Sequence, residues 1–422
     1  MADSRETALQ ILHALLEEKN LSGSVRTAAA DHEEDNAFIT MLVLTALRHL
    51  VYIRKILKNM ISRKLSRQNA VCRTALILGT TELLYMQTPD YAVINSYVNL
   101  VKQKTDRYIA GFANAVLRKI SREKENLVHT DTGEFFPQSF RTLLRQDYSA
   151  KTVDAIEAAA IIEPRLDITC IDASSTQKLG GQILPLGTIR LTGKGRVNLL
   201  PDYDKGTWWV QDFSSSLPVK MLDNLTGKNV LELCAAPGGK TAQLLNAGAH
   251  VTCLDISRER LKILEENLNR LHLTPKQIIC CDGLRFLEQA NDKYEVVILD
   301  APCSATGTLR RHPEIVHLKT SADVAAQAAL QKQFLQHIGN VLTQNGILLY
   351  CTCSLCRDEG ENQINSFLEE HQEFKIINLR QKIPPEISAI VTDEGFIRIL
   401  PHHLASLGGA DGFFIACLQK VK

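Results

Sequence analysis

Apolar residues recur at helical spacing over the first third of the chain. Ala8, Ile11, Leu12, Leu15 and Leu16 share one helix face, as do Ile109, Phe112, Val116 and Ile120. Pro89 is the only proline before residue 137, and Gln87-Thr88-Pro89-Asp90 reads as a turn between helices. The pattern predicts helices almost throughout residues 5–122 and a polar linker over about 123–134. A mixed stretch follows, with a helix over Phe140–Ala160 and short strands at Leu166–Ile171 and Thr188–Leu191. From residue 228 the pattern alternates between strands and helices. Strands are predicted at Val230–Leu233, Val251–Leu254, Gln277–Cys280, Glu295–Leu299 and Gly346–Tyr350, with helices such as Arg258–Leu271 and Ser321–Leu342 between them. That alternation predicts a parallel, doubly wound α/β sheet. The expected division is an all-helical domain over 1–128, a linker and small α+β subdomain over 129–222, and the α/β domain over 223–422.

Composition adds little until charge is located. The 422 residues carry 48 Lys or Arg against 47 Asp or Glu, yet residues 48–125 hold fifteen basic and five acidic side chains. A block this basic in a neutral chain is a candidate nucleic-acid surface. The first residues are polar and acidic, unlike a signal peptide, and the apolar stretch Phe38–Ile53 is interrupted by Arg48 and His49 and too short to span a bilayer. A soluble, cytoplasmic protein with no membrane partner is expected. The eleven cysteines fall late and many follow strand cores, which suits reduced thiols rather than a disulfide framework. Cys351, Cys353 and Cys356 have no fourth ligand at matching spacing, so no metal is expected.

In a doubly wound sheet, ligands bind beyond the carboxyl ends of the strands. Here the unusual residues fall at those ends: the turn Cys234-Ala235-Ala236-Pro237-Gly238-Gly239-Lys240 after the first strand, Asp255 after the second, Asp282 after the third, Asp300 and Cys303 after the fourth, and Cys351 to Ser354 after the fifth. The turn is neither a P-loop, since Cys234 stands where its first glycine belongs, nor a G-x-G-x-x-G fingerprint. A tight turn followed by an acid placed for ribose hydroxyls suits S-adenosyl-L-methionine, which has a ribose and adenine but no phosphate. A zinc deaminase is excluded: His312-Pro313-Glu314 follows Pro302-Cys303 in reversed order, and position 306 is Thr rather than a second Cys.

Two thiols beside an acid suggest a specific chemistry. Carbon-5 of cytosine is a poor nucleophile until a thiolate adds at carbon-6 and makes it enamine-like. One thiol then attacks, the other assists release, and Asp300 can hold the cytosine edge. Arg310, Arg311 and Lys240 are candidate anchors for phosphate or ligand.

The stretches Leu233–Thr241, Asp300-Ala301-Pro302-Cys303-Ser304 and Thr352-Cys353-Ser354 resemble the NOL1/NOP2/Sun family of RNA cytosine-5 methyltransferases. Thr306–Glu314 and Gly409-Ala410-Asp411-Gly412-Phe413-Phe414 are similar to its bacterial Sun/Fmu branch, and Arg107–Ile120 resembles the last helix of a NusB-like domain. The resemblance implies a Rossmann-like S-adenosyl-L-methionine-dependent methyltransferase sheet, preceded by an all-α NusB-like domain and a small α+β RNA-contacting subdomain. It implies Cys353 as the nucleophile and Cys303 as the group that promotes product release. Cofactor contacts map to Cys234, Ala235, Ala236, Pro237, Gly238, Gly239, Lys240, Asp255, Asp282 and Asp300. The implied substrate is an unpaired or flipped cytosine in 16S ribosomal RNA, and the expected protein is a monomer; the same chemistry on transfer RNA, or a non-catalytic assembly factor, are the alternatives. Three departures stand out. Glu232 replaces the family's usual Asp, Cys351 replaces a common Ala, and Asp167 and Thr169 occupy a stretch where an Arg-x-Asn element is usual.

Overall fold

Helix Ala70–Tyr85 is apolar or small on almost every face, and every residue from Thr74 to Leu84 is buried. In the computed structural model, which describes residues 2–19, 25–30, 35–61, 67–171, 179–193 and 195–421, this helix is the axis of the first of two units. Helices Ala2–His13, Asn36–Arg48, Leu50–Met60, Asp90–Lys104 and Arg107–His129 pack around it. Gly79 permits the closest approach, since a Cβ there would lie 2.9 Å from Leu117 Cδ2. A charge cluster in this interior is closed: Arg5 Nε donates to Glu82 Oε2 at 2.9 Å, and Tyr97 donates to the same oxygen at 3.1 Å.

The unit takes residues 1–145, 150–161 and 309–319. Three expectations change here. The predicted linker is helical as far as His129, because Leu127 lies seven residues beyond Ile120 and is buried on the same face. The single helix over Phe140–Ala160 is two, Gln138–Leu144 and Ala150–Ala160, with Glu157 accepting from the N–H groups of Phe135 and Phe136. Arg310 is not a solvent-facing anchor. It is 1% exposed, and its carbonyl accepts from Arg48 Nη2 at 2.6 Å. The apolar stretch Phe38–Ile53 divides at His49 into helices bent by 73°. Among the described residues no single helix is long and apolar enough to cross a membrane.

The second unit takes residues 146–149, 162–308 and 320–422. A small antiparallel sheet has the order β2-β3-β1-β4, from β1 (Asp167–Cys170), β2 (Gly181–Ile183), β3 (Ile189–Leu191) and β4 (Trp208–Val210). The larger sheet contains the five expected strands, each in place to within a few residues: β5 (Asn229–Leu233), β6 (His250–Asp255), β7 (Gln277–Cys280), β8 (Tyr294–Asp300) and β9 (Leu342–Thr352). They run parallel in the order β9-β8-β5-β6-β7. Helix Ser321–Ile338 ends before the predicted Leu342, which already belongs to β9.

The sheet is mixed rather than wholly parallel. The chain adds β10 (Phe374–Ile376), β11 (Ile397–Ile399) and β12 (Phe413–Lys420), with β12 antiparallel to β9, β10 and β11. Short 3₁₀ turns, rather than a crossover helix, precede β11 and β12, so nothing obliges the last strand to run parallel. Its run from Phe413 to Leu418 is buried throughout, as suits a strand with neighbours on both edges.

Asp167 and Thr169 join the small sheet to the large one. Arg190 Nε and Nη2 each donate to Asp167 at 2.7 Å, and Asp167 Oδ2 also accepts from Phe213 N–H at 3.1 Å. The same guanidinium donates to the carbonyls of Leu407 and Gly409. Thr169 Oγ1 donates to Gln211 Oε1, whose Nε2 reaches Gln243 in the helix after β5. These polar residues are committed to structure, which accounts for their place in the strand. Asp167→Ala leaves a buried guanidinium uncompensated, so denaturant unfolding should show a loss of about 3–5 kcal/mol. An unchanged midpoint would mean that the carbonyls alone satisfy Arg190.

Candidate functional site

Parallel pairing sets Leu233 beside Leu254 and Leu299, Asp255 beside Cys280, and Asp300 beside Cys351. The strands therefore end on one rim, and the residues that follow them share it. After β5 the chain turns sharply: Cys234 has φ +59° and Gly238 +99°, and helix Gly239–Asn246 begins at once. A side chain at Gly238 would be strained by that φ and would crowd Leu264 Cγ at 3.0 Å. Glu232 braces the turn from below. Its longer side chain accepts from Thr241 Oγ1 at 2.6 Å, so the departure from Asp is used to reach the next helix.

Asp255 organises the turn from the side. Its carboxylate accepts from Ala236 N–H at 3.2 Å and Ser257 N–H at 3.0 Å, and Arg260 Nη1 lies 3.3 Å from Oδ2. The side chain is 1% exposed, while Arg260 is half exposed. Asp282 caps helix Gly283–Gln289 through Arg285 N–H at 3.0 Å. It also lines a cavity of about 460 Å³ shared with Cys280, Cys281, Arg285 and Phe286. Lys240 donates to Asp300 Oδ2 at 2.7 Å and is buried, so it is not the phosphate anchor its sequence position suggested. Burial works against its charge, yet the Asp300 carboxylate more than offsets this and raises its pKa.

The two proposed thiols meet. Cys303 Sγ and Cys353 Sγ are 3.4 Å apart, both partly accessible. The hydrogen bond to Cys353, burial, and the negative charge of Glu359 hold the Cys303 thiol well above the usual range. The two sulfurs are within hydrogen-bond distance of each other, so a proton held on Cys303 can be shared with Cys353. Burial, then the nearby Asp300 and Asp255, push Cys234 up to about 12, and burial with Asp300 keeps Cys351 protonated. Cys351 donates to Asp300 Oδ1 at 3.5 Å; the third thiol supports the acid rather than competing with Cys353.

Sequence reasoning missed one residue at the centre of this arrangement. Glu359, fully buried, accepts from Ser304 N–H and Gln331 Nε2 at Oε1 and from the hydroxyls of Ser304 and Ser354 at Oε2. The sequence signal was an acidic run, Asp358-Glu359-Gly360-Glu361, in the segment that follows the fifth predicted strand. Among the described residues, no group of three or more His, Cys, Asp or Glu is placed to hold a metal ion.

Residues 219–419 match the family model described as 16S rRNA methyltransferase RsmB/F, and residues 2–122 match the NusB family. The ribosomal RNA small subunit methyltransferase B of Pasteurella multocida (strain Pm70) is 30% identical over 446 aligned positions, covering 100% of this chain and 97% of that one. This chain belongs to the RsmB/F family of 16S rRNA methyltransferases. Two solved structures share the fold. PH0851 superposes with a TM-score of 0.77 over 98% of both chains at 21% identity. NSun6 from Pyrococcus horikoshii, solved with SFG, gives 0.56 over 68% of this chain and 99% of its own at 20% identity.

The family is that of S-adenosyl-L-methionine-dependent RNA methyltransferases, and the rim fits that cofactor. It presents the carboxylates of Asp255, Asp282 and Asp300, while the nearby cations Lys240 and Arg260 are already paired. Three carboxylates on one rim favour a phosphate-free sulfonium over a nucleotide phosphate. Glu232 provides a separate test of the turn. Burial pushes its carboxyl to about 8, with only partial relief from Thr241 and Lys240. Between about pH 5 and that value the folded chain keeps a proton that the unfolded chain has lost, so this residue makes stability fall as pH rises. Glu232→Gln should flatten that slope in thermal denaturation between pH 5 and 8; parallel curves for the two proteins would show that Glu232 is ionised in the fold.

Proposed function

We propose that this protein methylates carbon-5 of a cytosine in 16S ribosomal RNA through a covalent bond between Cys353 and carbon-6 of the base. The observation that carries the reading is the pair of thiols in contact at 3.4 Å on the rim, with the Cys303 thiol held above the usual range. S-adenosyl-L-methionine supplies an electrophilic methyl group when bound. The chain's own residues do the rest. The Cys353 thiolate adds to carbon-6, forming a C–S bond and moving an electron pair toward carbon-5. Cys303 donates its S–H to Cys353 before attack, which stabilises the thiolate. Asp300, held by Lys240 and Cys351 and still partly exposed, faces the base edge, where it accepts a hydrogen bond from the cytosine 4-amino group and so orients the base for attack. Once carbon-5 carries the methyl group, its proton passes to water, the C–H electron pair re-forms the carbon-5–carbon-6 double bond, and the C–S bond breaks so that Cys353 leaves as thiolate, a step that Cys303 assists.

In this reading Cys234, Ala235, Ala236, Pro237, Gly238 and Gly239 line the cofactor, with Lys240 acting through Asp300. Asp255 reaches the ribose after the exposed Arg260 swings aside, and Asp282 faces the adenine from its cavity. The small sheet β1–β4 contributes to RNA contact. A base stacked in a helix hides carbon-6, so the target enters unpaired or flipped.

The helical unit supplies backbone affinity. Along helix Arg107–His129, Arg107, Arg118, Lys119 and Arg122 are exposed on one face together with Tyr108, which is 78% exposed. Arg63 and Lys64, counted in the basic block, lie outside the described residues.

Two outcomes follow. Cys303→Ala incubated with S-adenosyl-L-methionine and unmodified 16S RNA should give a covalent protein–RNA band on a denaturing gel, absent from Cys303→Ala/Cys353→Ala. A band that survives the double substitution sinks the nucleophile assignment, and activity confined to transfer RNA overturns the substrate. Replacing Arg107, Arg118, Lys119 and Arg122 with Ala should lower RNA affinity and reduce the slope of log affinity against log salt by about three to four. An unaltered slope removes this face from the RNA interface.

A further inference from the structure

Glu359 is fully buried, and its carboxylate joins the two loops that carry the thiols. Ser304 follows Cys303 and Ser354 follows Cys353. From the first loop, Ser304 N–H donates to Oε1 at 2.7 Å and Ser304 Oγ to Oε2 at 2.5 Å. From the second, Ser354 Oγ donates to Oε2 at 2.5 Å. Gln331 Nε2 ties Oε1 (3.3 Å) to the carbonyl of Pro302 (2.8 Å). Four donors on a fully buried, acceptor-only group leave no lone pair idle. The backbone of Glu359 is held independently, since its carbonyl accepts from Tyr350 OH at 2.9 Å and Thr352 Oγ1 at 3.1 Å. The chain between the second thiol and Glu359 is also pinned: Arg398 donates to the Ser354 carbonyl, Tyr148 to the Leu355 carbonyl, and Asp147 accepts from Arg357 N–H.

We propose that Glu359 is a positioning residue for methyl transfer, which sets the distance between Cys303 and Cys353 by clamping Ser304 and Ser354 to one carboxylate. The proposal rests on the two-thiol reading above. Its physical basis is that hydrogen bonds one residue from each sulfur leave little freedom to the loops, and a displacement of about 1 Å at a reacting atom costs up to roughly a hundredfold in rate. Glu359 also places a negative charge beside Cys303, whose other titratable neighbours are Cys353 and Tyr350.

Glu359→Gln keeps the shape and the backbone anchors but removes the charge and one acceptor, and Glu359→Ala removes the clamp. Steady-state kinetics of Glu359→Gln on 16S RNA should show kcat lowered at least about tenfold, with KM for S-adenosyl-L-methionine within about twofold of wild type. The limb of its pH–rate profile that reports Cys303 should move to lower pH, because a thiolate there no longer faces a carboxylate. In the Cys303→Ala background, Glu359→Ala should form the covalent RNA adduct at least about tenfold more slowly than Cys303→Ala alone. Wild-type kcat and pH profile in Glu359→Gln would overturn the proposal, as would a loss of kcat matched by an equal loss of cofactor binding, which is the mark of general unfolding. Normal adduct formation in Glu359→Ala/Cys303→Ala would overturn the clamp while leaving the thiolate mechanism standing. Absence of any adduct from Cys303→Ala itself would overturn that mechanism and the proposal with it.

Discussion

The parallel register of β8 on β9 is the constraint on which the site depends. Asp300 pairs with Cys351, so both chains leave the sheet at the same level, and the two thiols follow three and two residues later. A slip of one residue would turn Asp300 from the rim toward a face and carry Cys353 out of reach of Cys303. The register is well protected against this. Val296 to Leu299 and Leu348 to Thr352 are buried, and antiparallel β12 holds β9 as far as Thr352 through Phe414. The loop that bears Cys353 therefore starts from a fixed point, and the hydrogen bonds of Glu359 continue what the sheet begins.

Electrostatics at the rim is arranged in layers. At the level of the strands, charge is cancelled or suppressed: Lys240 is paired with Asp300, Glu232 stays protonated at neutral pH, and the buried thiols keep their protons. Asp255 and Asp282 accept from backbone N–H groups at the ends of their strands. Protonation thereby separates thiols that look alike in the sequence. Cys234, Cys303 and Cys351 each lie beside a carboxylate or deep in the unit, which disfavours the thiolate, and Cys353 lies within hydrogen-bond distance of Cys303.

Much of this was legible in the chain because it depends on short-range pattern. Strand cores read as apolar runs, and the residues after each strand necessarily fall on one rim of a parallel sheet. What escaped depends on contacts distant in sequence. Glu359 looks like a solvated acid in a charged turn until Ser304, 55 positions away, is seen to bond it. Arg310 looks like a phosphate anchor until its burial in the helical unit is known. The stretch 123–129 is polar enough to read as a linker, yet one apolar residue, Leu127, carries the helix on. The mixed sheet was missed for the opposite reason: β12 is a plain apolar run whose direction no local feature announces.

The two departures at positions 232 and 351 act together through Asp300. An ionised carboxylate at 232 would compete with Asp300 for Lys240, since both negative groups act on that ammonium. Burial keeps Glu232 neutral, and Thr241 occupies one of its oxygens. At 351, a thiol in place of a methyl group gives Asp300 a second donor on the oxygen that Lys240 does not use. Asp300 is thus held at both oxygens from beneath while its outer side remains open. A carboxylate fixed in this way loses little freedom when a base binds, so accepting a hydrogen bond from the base edge needs little reorganisation. The substitutions that depart from the family pattern are in this sense local compensations, which preserve the orientation of the one acid that the sheet places between the cofactor turn and the two thiols.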